Sequence, residues 1–297
     1  MKRDTFADFH PAVNFAYFAF VIGFAMFFMH PVCLGISLLC AFVYAVYLTG
    51  EKAVRLSVRF MLPMLIFTAL FNPLFNHRGV TILVYLPNGN PVTFESILYG
   101  IAAAVMLITV IAWFACFNAV MTSDKFVYLF GRIIPALSLI LSMALRLVPL
   151  FRSQIKVVSN AQKCIGRDAS TSNIFGKIKY GIKILSIMVT WALENAIETA
   201  DSMKARGYGL PGRSAFSIFR FDRRDTYALG YIFACAAAVI AGAWFGAYHF
   251  RYFPSVRGQW GGSRAIAVFA AYFALCALPI ILNLREDYIW KRIESKA

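Results

Sequence analysis

Charge is scarce in this sequence. Only 14% of its 297 residues are Asp, Glu, Lys or Arg, against about 25% in ordinary soluble domains. Acids are scarcer still: there are fourteen, and none falls in the middle of a long apolar run. Proton- and ion-coupled carriers keep ionisable groups at membrane depth because those groups do the coupling. Their absence argues against a proton-coupled secondary transporter and leaves backbone-coordinated sodium open. The four histidines, His10, His30, His77 and His249, are scattered, so no metal site is expected. The six cysteines form no C-x-x-C pair and five lie in apolar runs, which reads as small core residues rather than disulfides or metal ligands. No phosphate-cradling Walker A loop is present: Gly176-Lys177 lacks both the upstream glycine and the following hydroxyl. The chain is therefore not expected to hydrolyse ATP itself. No nucleophile–base spacing is recognisable, so no catalytic residue and no cofactor is expected.

What is present is apolar length. Hydrophobic residues make up 60% of the chain, and runs at 12–29, 31–49, 59–75, 96–118, 226–248 and 265–284 approach or exceed the ~18–20 residues that cross a bilayer. The expectation is an all-α, polytopic helical membrane protein of about six spans. The first run has no small-residue cleavage site after it and is expected to be a retained span. Net charge is +15, and in a membrane protein this bears on topology rather than on nucleic acid, which is not an expected partner. With the amino terminus inside, 25 of the 29 Lys and Arg fall on the inner segments; only Arg78, Arg251, Arg257 and Arg264 fall outside. This positive-inside division predicts that both termini are cytoplasmic.

The division also places residues 119–225 inside, between a transmembrane region at 1–118 and a second at 226–297. From Arg146 onward this insertion carries polar and apolar stripes at spacings of three and four. Lys179, Lys183, Ser186, Thr190, Glu194, Glu198 and Asp201 share one face; Ile184, Ile187, Met188, Trp191, Ala192 and Ala196 run opposite. Two long amphipathic helices are predicted, broken at Asn173 and Gly176, with Pro135 and Pro149 kinking the first. The segment 133–151 is apolar enough to enter the membrane despite Arg146. Glu194, Glu198 and Asp201 could in principle hold a cation; a solvated polar face is the simpler reading. The second helix ends in Met203-Lys204-Ala205-Arg206-Gly207-Tyr208-Gly209, where an arginine in the last turn precedes a glycine suited to a left-handed cap.

This ending, together with Phe9-His10-Pro11, Phe71-Asn72-Pro73-Leu74-Phe75-Asn76-His77-Arg78-Gly79 and Ala144-Leu145-Arg146-Leu147-Val148-Pro149, resembles the transmembrane (T) component of energy-coupling factor transporters, the family that includes the cobalt-transport membrane protein. The likeness covers most of residues 8–285. It implies a non-catalytic coupling subunit of an ATP-driven importer of vitamins or transition metals. In that family two cytoplasmic ABC ATPase subunits bind two Ala-Arg-Gly helix ends, and a substrate-specific S component is the membrane partner. By this resemblance Ala205, Arg206 and Gly207 form the second ATPase contact. The first departs from the pattern: Ala161-Gln162-Lys163-Cys164-Ile165-Gly166 has Ile165 where arginine is expected, leaving Lys163 or Arg167 to supply charge beside Gly166. Ile184, Met188 and Trp191 are candidates for the S-component contact, internal packing being the equal alternative. The runner-up is a stand-alone channel or carrier with a basic regulatory insertion, and a membrane-embedded lipid enzyme is a third possibility. The substrate is not legible.

Overall fold

The computed structural model describes residues 4–85, 90–131, 135–166, 174–210, 219–246, 250–258 and 262–294. It is an all-α protein built as two compact units. One joins the residues up to Thr122 with those from Phe219 onward, and the other begins at Ser123.

The first unit opens with two helices that start alike. In α1 (Pro11–Phe27) and α2 (Pro31–Thr49) a His-Pro pair sets the N-terminus. Proline suits the first helical position because its missing N–H would be unbonded there anyway. The preceding histidine caps the turn: Nδ1 of His10 accepts from the Ala12 N–H, and Nδ1 of His30 from the Val32 N–H, both at 3.2 Å. His10→Ala should lower stability by about 0.5–2 kcal/mol, and His10→Asn should recover most of it, since asparagine also caps well. Thermal unfolding of the purified chain in detergent would check this; equal losses for both variants would mean the ring is not acting as a cap.

α2 is followed by α3 (Glu51–Leu56), a π-helical turn at Ser57–Met61 and α4 (Leu62–Phe75). A hairpin of β1 (Ile82–Tyr85) and β2 (Pro91–Thr93) then leads into α5 (Phe94–Val120). Residues 76–94, which the sequence Asn88-Gly89-Asn90-Pro91 marks as a polar loop, thus contain paired strands. Gly79 shows why the turn into them needs glycine: its φ is +148°, and a Cβ there would lie 2.6 Å from both Thr93 Oγ1 and Glu95 Oε2. Glu95 accepts from the Thr81 hydroxyl at 2.9 Å, and the Thr93 hydroxyl donates to the Arg78 carbonyl at 2.8 Å.

α9 (Arg223–Trp244) begins with a reciprocal capping box between Asp222 and Asp225. The other carboxylate oxygen of Asp225 accepts from the His10 N–H at 3.1 Å, tying the starts of α9 and α1 together. A short pairing of β3 (Phe250–Arg251) with β4 (Arg257–Gly258) precedes α10 (Ser263–Glu294). Where α9 meets α10, a Cβ on Gly242 would clash with Val268, the close approach that small residues allow between membrane helices.

Trp113, Tyr17, Tyr44, Phe6, Phe18 and Tyr272 form the buried aromatic centre of this unit. Two of its polar groups are bonded, as a low-dielectric interior favours: Trp113 Nε1 donates to Ser37 Oγ at 2.9 Å and the Tyr17 hydroxyl to the Cys276 carbonyl at 3.0 Å. Asp4 closes one end by accepting from the Tyr44 hydroxyl and from Asn283 Nδ2.

Among the described residues, four helices are long and apolar enough to cross a membrane: α2, α5, α9 and α10. The runs at 12–29 and 59–75 form shorter apolar helices, Pro11–Phe27 and Arg59–Phe75.

The second unit contains α6 (Ser123–Gly131), α7 (Pro135–Cys164) and α8 (Ile174–Ala205). Three local expectations are corrected here. Pro135 opens α7 instead of kinking it, which uses its locked φ and absent donor where neither costs a bond. Ala144–Pro149, which the family resemblance would place at the opening of the first coupling helix, lies within α7 rather than at its start. Gly176 lies inside α8 as its third residue, within the first turn. Asn173 lies outside the described residues.

Candidate functional site

α7 and α8 pack antiparallel. The Tyr180 hydroxyl donates to the Ser159 carbonyl at 3.2 Å, and Trp191 meets Phe151 edge-on at 5.6 Å, so the pairs are nested in sequence. The helices consequently end at opposite ends of the pair. From Tyr180 to Ala205 alone, α8 extends about 37 Å at 1.5 Å per residue.

The end of α8 is a complete Schellman cap. The Tyr208 N–H donates to the Met203 carbonyl at 3.0 Å and the Gly207 N–H to the Lys204 carbonyl at 2.9 Å. Gly207 takes the left-handed conformation, φ +75°, which costs a residue with a Cβ about 1–2 kcal/mol. This geometry makes Arg206 the cap residue: its backbone is fixed by the turn, its side chain is exposed, and its charge complements the negative end of the helix dipole. Gly207→Val should loosen the last turn and detach Arg206 from its fixed direction. Slower backbone amide exchange at Gly207 and Tyr208 in the wild type than in the variant would show it; identical exchange would contradict it.

α7 ends with the corresponding glycine bond. The Gly166 N–H donates to the Lys163 carbonyl at 2.9 Å, and Gly166 has φ +77°. Counted from the two capping glycines, Lys163-Cys164-Ile165-Gly166 aligns in register with Lys204-Ala205-Arg206-Gly207, so Ile165 occupies the cap position held by Arg206 at the other end. Ile165 is 66% exposed, an unusual place for a large aliphatic side chain unless something covers it. Lys163 is exposed on the last turn. Arg167 and Arg213 lie outside the described residues.

Of the candidate membrane-partner residues, Met188 is the one buried side chain of α8 among the described residues, and Ile184 and Trp191 are half-buried. Trp191 is engaged with Phe151 of α7. A different stripe of α8 stands open: Ile178, Ile182, Leu185, Val189, Leu193 and Ile197, each at least half exposed. Its spacing of three and four was readable in the sequence, but the run is interleaved with the inward stripe, and only packing separates the two. Glu194, Glu198 and Asp201 are exposed, and among the described residues no three His, Cys, Asp or Glu side chains converge as metal ligands would.

Residues 6–217, well over half the chain, match the family described as cobalt transport protein. Among curated proteins, the chain is similar to the energy-coupling factor transporter transmembrane protein EcfT of Lacticaseibacillus paracasei, 38% identical over 95 residues, which are 32% of this chain and 36% of that protein. It is 34% identical to the protein of the same name from Lactococcus lactis subsp. cremoris over 91 residues, 30% of this chain and 34% of the relative. With that of Staphylococcus aureus the identity is 34% over 101 residues, 34% and 38% of the two chains. The matched stretch thus spans about a third of the length of each of these relatives. By the family match, the chain belongs to the cobalt transport protein family, the one its helix-end motifs had indicated.

Proposed function

We propose that this chain is the membrane-embedded, non-catalytic coupling subunit of an energy-coupling-factor importer. In this reading it links ATP hydrolysis by two cytoplasmic ATPase subunits to movement of a substrate-binding S component in the plasma membrane. The relatives' printed name supports the transporter class. The observation that carries the coupling role is the pair of glycine-capped helix ends at opposite ends of α7 and α8, one of them presenting the cation Arg206. A guanidinium fixed at a helix end makes charge-assisted, bidentate bonds to carboxylates in an acidic groove. An aliphatic Ile165 at the matching position makes only an apolar contact, so the two ends suit two non-identical ATPase surfaces.

The same reading assigns roles to the rest of the molecule. The transmembrane regions 1–118 and 226–297 anchor the subunit, both termini are cytoplasmic, and the region 119–225 transmits force. Because Ile184, Met188 and Trp191 are taken up in packing to different degrees, the open stripe from Ile178 to Ile197 offers the S component the larger apolar contact.

Affinity purification of the tagged chain from its native membrane in mild detergent tests the proposal. Two ATPase chains and a small membrane protein should co-purify and be identifiable by mass spectrometry. A chain that purifies alone and transports in isolation would replace this reading with a stand-alone channel or carrier.

A further inference from the structure

The hairpin at the end of α4 is built inside out. Its polar groups point inward and are bonded to one another: Thr93, Glu95 and Ser96 are buried, with Glu95 holding both the N–H and the hydroxyl of Thr81. Its apolar groups point outward. Val80, Ile82, Leu83, Val84, Tyr85 and Phe94 are all between 45% and 69% exposed. A surface of this kind facing water is unfavourable, and contiguous apolar patches mark contact with a membrane or a partner.

The neighbouring helix indicates which. The apolar helix Arg59–Phe75 has 17 residues, about 25 Å at 1.5 Å per residue, short of the ~30 Å hydrocarbon thickness. It is also peripheral: among its described residues α4 buries only Pro73, and Phe67, Phe71 and Phe75 stack along its open side. A short helix facing lipid must thin the bilayer or be extended by other apolar surface. The hairpin stands where that extension is needed, following Phe75 directly in the chain. Arg78 is exposed beside it and Tyr85 closes the exposed strand, the residue types that seat at headgroup level. Free strand edges are not tolerated in the hydrocarbon centre, so the hairpin belongs at the interface.

We infer that β1 and the preceding Val80 are an interfacial anchor, immersed in the phospholipid leaflet at which α4 ends and completing the lipid-facing band that α4 is too short to supply. The partner is the lipid surface itself, with Arg78 directed to lipid phosphate.

Nitroxide labels at Leu83→Cys and Val84→Cys test this in the full chain, with Cys164 and Cys235, the two cysteines that are not buried, replaced by serine. The protein is reconstituted in vesicles of phosphatidylglycerol and phosphatidylethanolamine, and a label on native Cys164 in a separate preparation gives the aqueous reference. Collision with oxygen should exceed collision with a water-soluble nickel chelate several-fold at both hairpin positions, with the reverse at Cys164. Preference for the nickel chelate at Leu83 and Val84 would overturn the proposal. So would lipid access that disappears when the co-purifying chains are added, because a protein would then occupy the surface.

Discussion

Arg206→Glu is expected to reduce the ATPase recovered with the membrane chain about 30-fold or more, the range seen when one partner of a desolvated charge pair is lost. The charge reversal acts twice. It places an anion at the negative end of the α8 dipole, where a cation is favoured, and it opposes the acidic groove that the proposed contact requires. The Schellman bonds that close α8 come from the backbone of Tyr208 and Gly207 and do not involve the Arg206 side chain. The helix end should therefore keep its shape, and helicity by circular dichroism should be unchanged. Ile165→Glu at the equivalent cap of α7 and Arg213→Ala, a few residues past the α8 cap in the sequence, are expected to cost less. Quantitative affinity purification at about 0.15 M salt ranks the three, since screening beyond ~8 Å at that ionic strength leaves only close charge contacts. Equal retention by all three variants would show that Arg206 has no special place in ATPase binding.

Trp113→Ala is expected to destabilise the first unit by about 3–5 kcal/mol, enough to lose the folded monomer in detergent. Trp113 is fully buried, and its ring meets Tyr17 at 6.1 Å and Phe18 at 6.3 Å in edge-on contacts. Truncation leaves a cavity that helices held by a bundle of aromatic contacts cannot collapse to fill. It also strips the Ser37 hydroxyl of its donor, leaving a polar group unpaired at the centre of a helical bundle. Trp113→Phe separates the two costs by keeping most of the volume and losing only the hydrogen bond. Fluorescence-detected size-exclusion chromatography over a temperature series should order the proteins wild type, Trp113→Phe, Trp113→Ala. A Trp113→Ala variant as stable as Trp113→Phe would mean that the hydrogen bond, not packing, dominates.

Elements with a strong one-dimensional signal were legible without coordinates. The apolar runs became helices because hydrophobic length needs no tertiary partner to be recognised. The caps were legible too: glycine after Arg206 predicts a left-handed residue, and Gly207 and Gly166 both have it. Punctuation was less informative. Gly176 was read as a break and lies within α8, whereas Pro135 was read as a kink and starts α7. Both residues are compatible with a helix near its N-terminus, and the choice between stop and start is made by what the helix packs against. The paired strands at 82–93 were hidden because the polar residues around them, Thr81, Thr93 and Glu95, look like loop until their side chains are seen bonding to one another.

Composition and motif alone determined the class of this protein: an all-α membrane chain of the cobalt transport family, with one cationic helix end and one altered one. Those features are local, set by a few consecutive residues and by transfer free energy, which sums along the chain. Tertiary structure alone decided which apolar stripe of α8 is taken up by α7 and which stands open, and that the two similar helix ends lie at opposite ends of the pair. It alone turned the polar face of the 82–93 hairpin inward. These are long-range choices that local hydrophobicity does not settle, and only the contacts made by distant residues decide them.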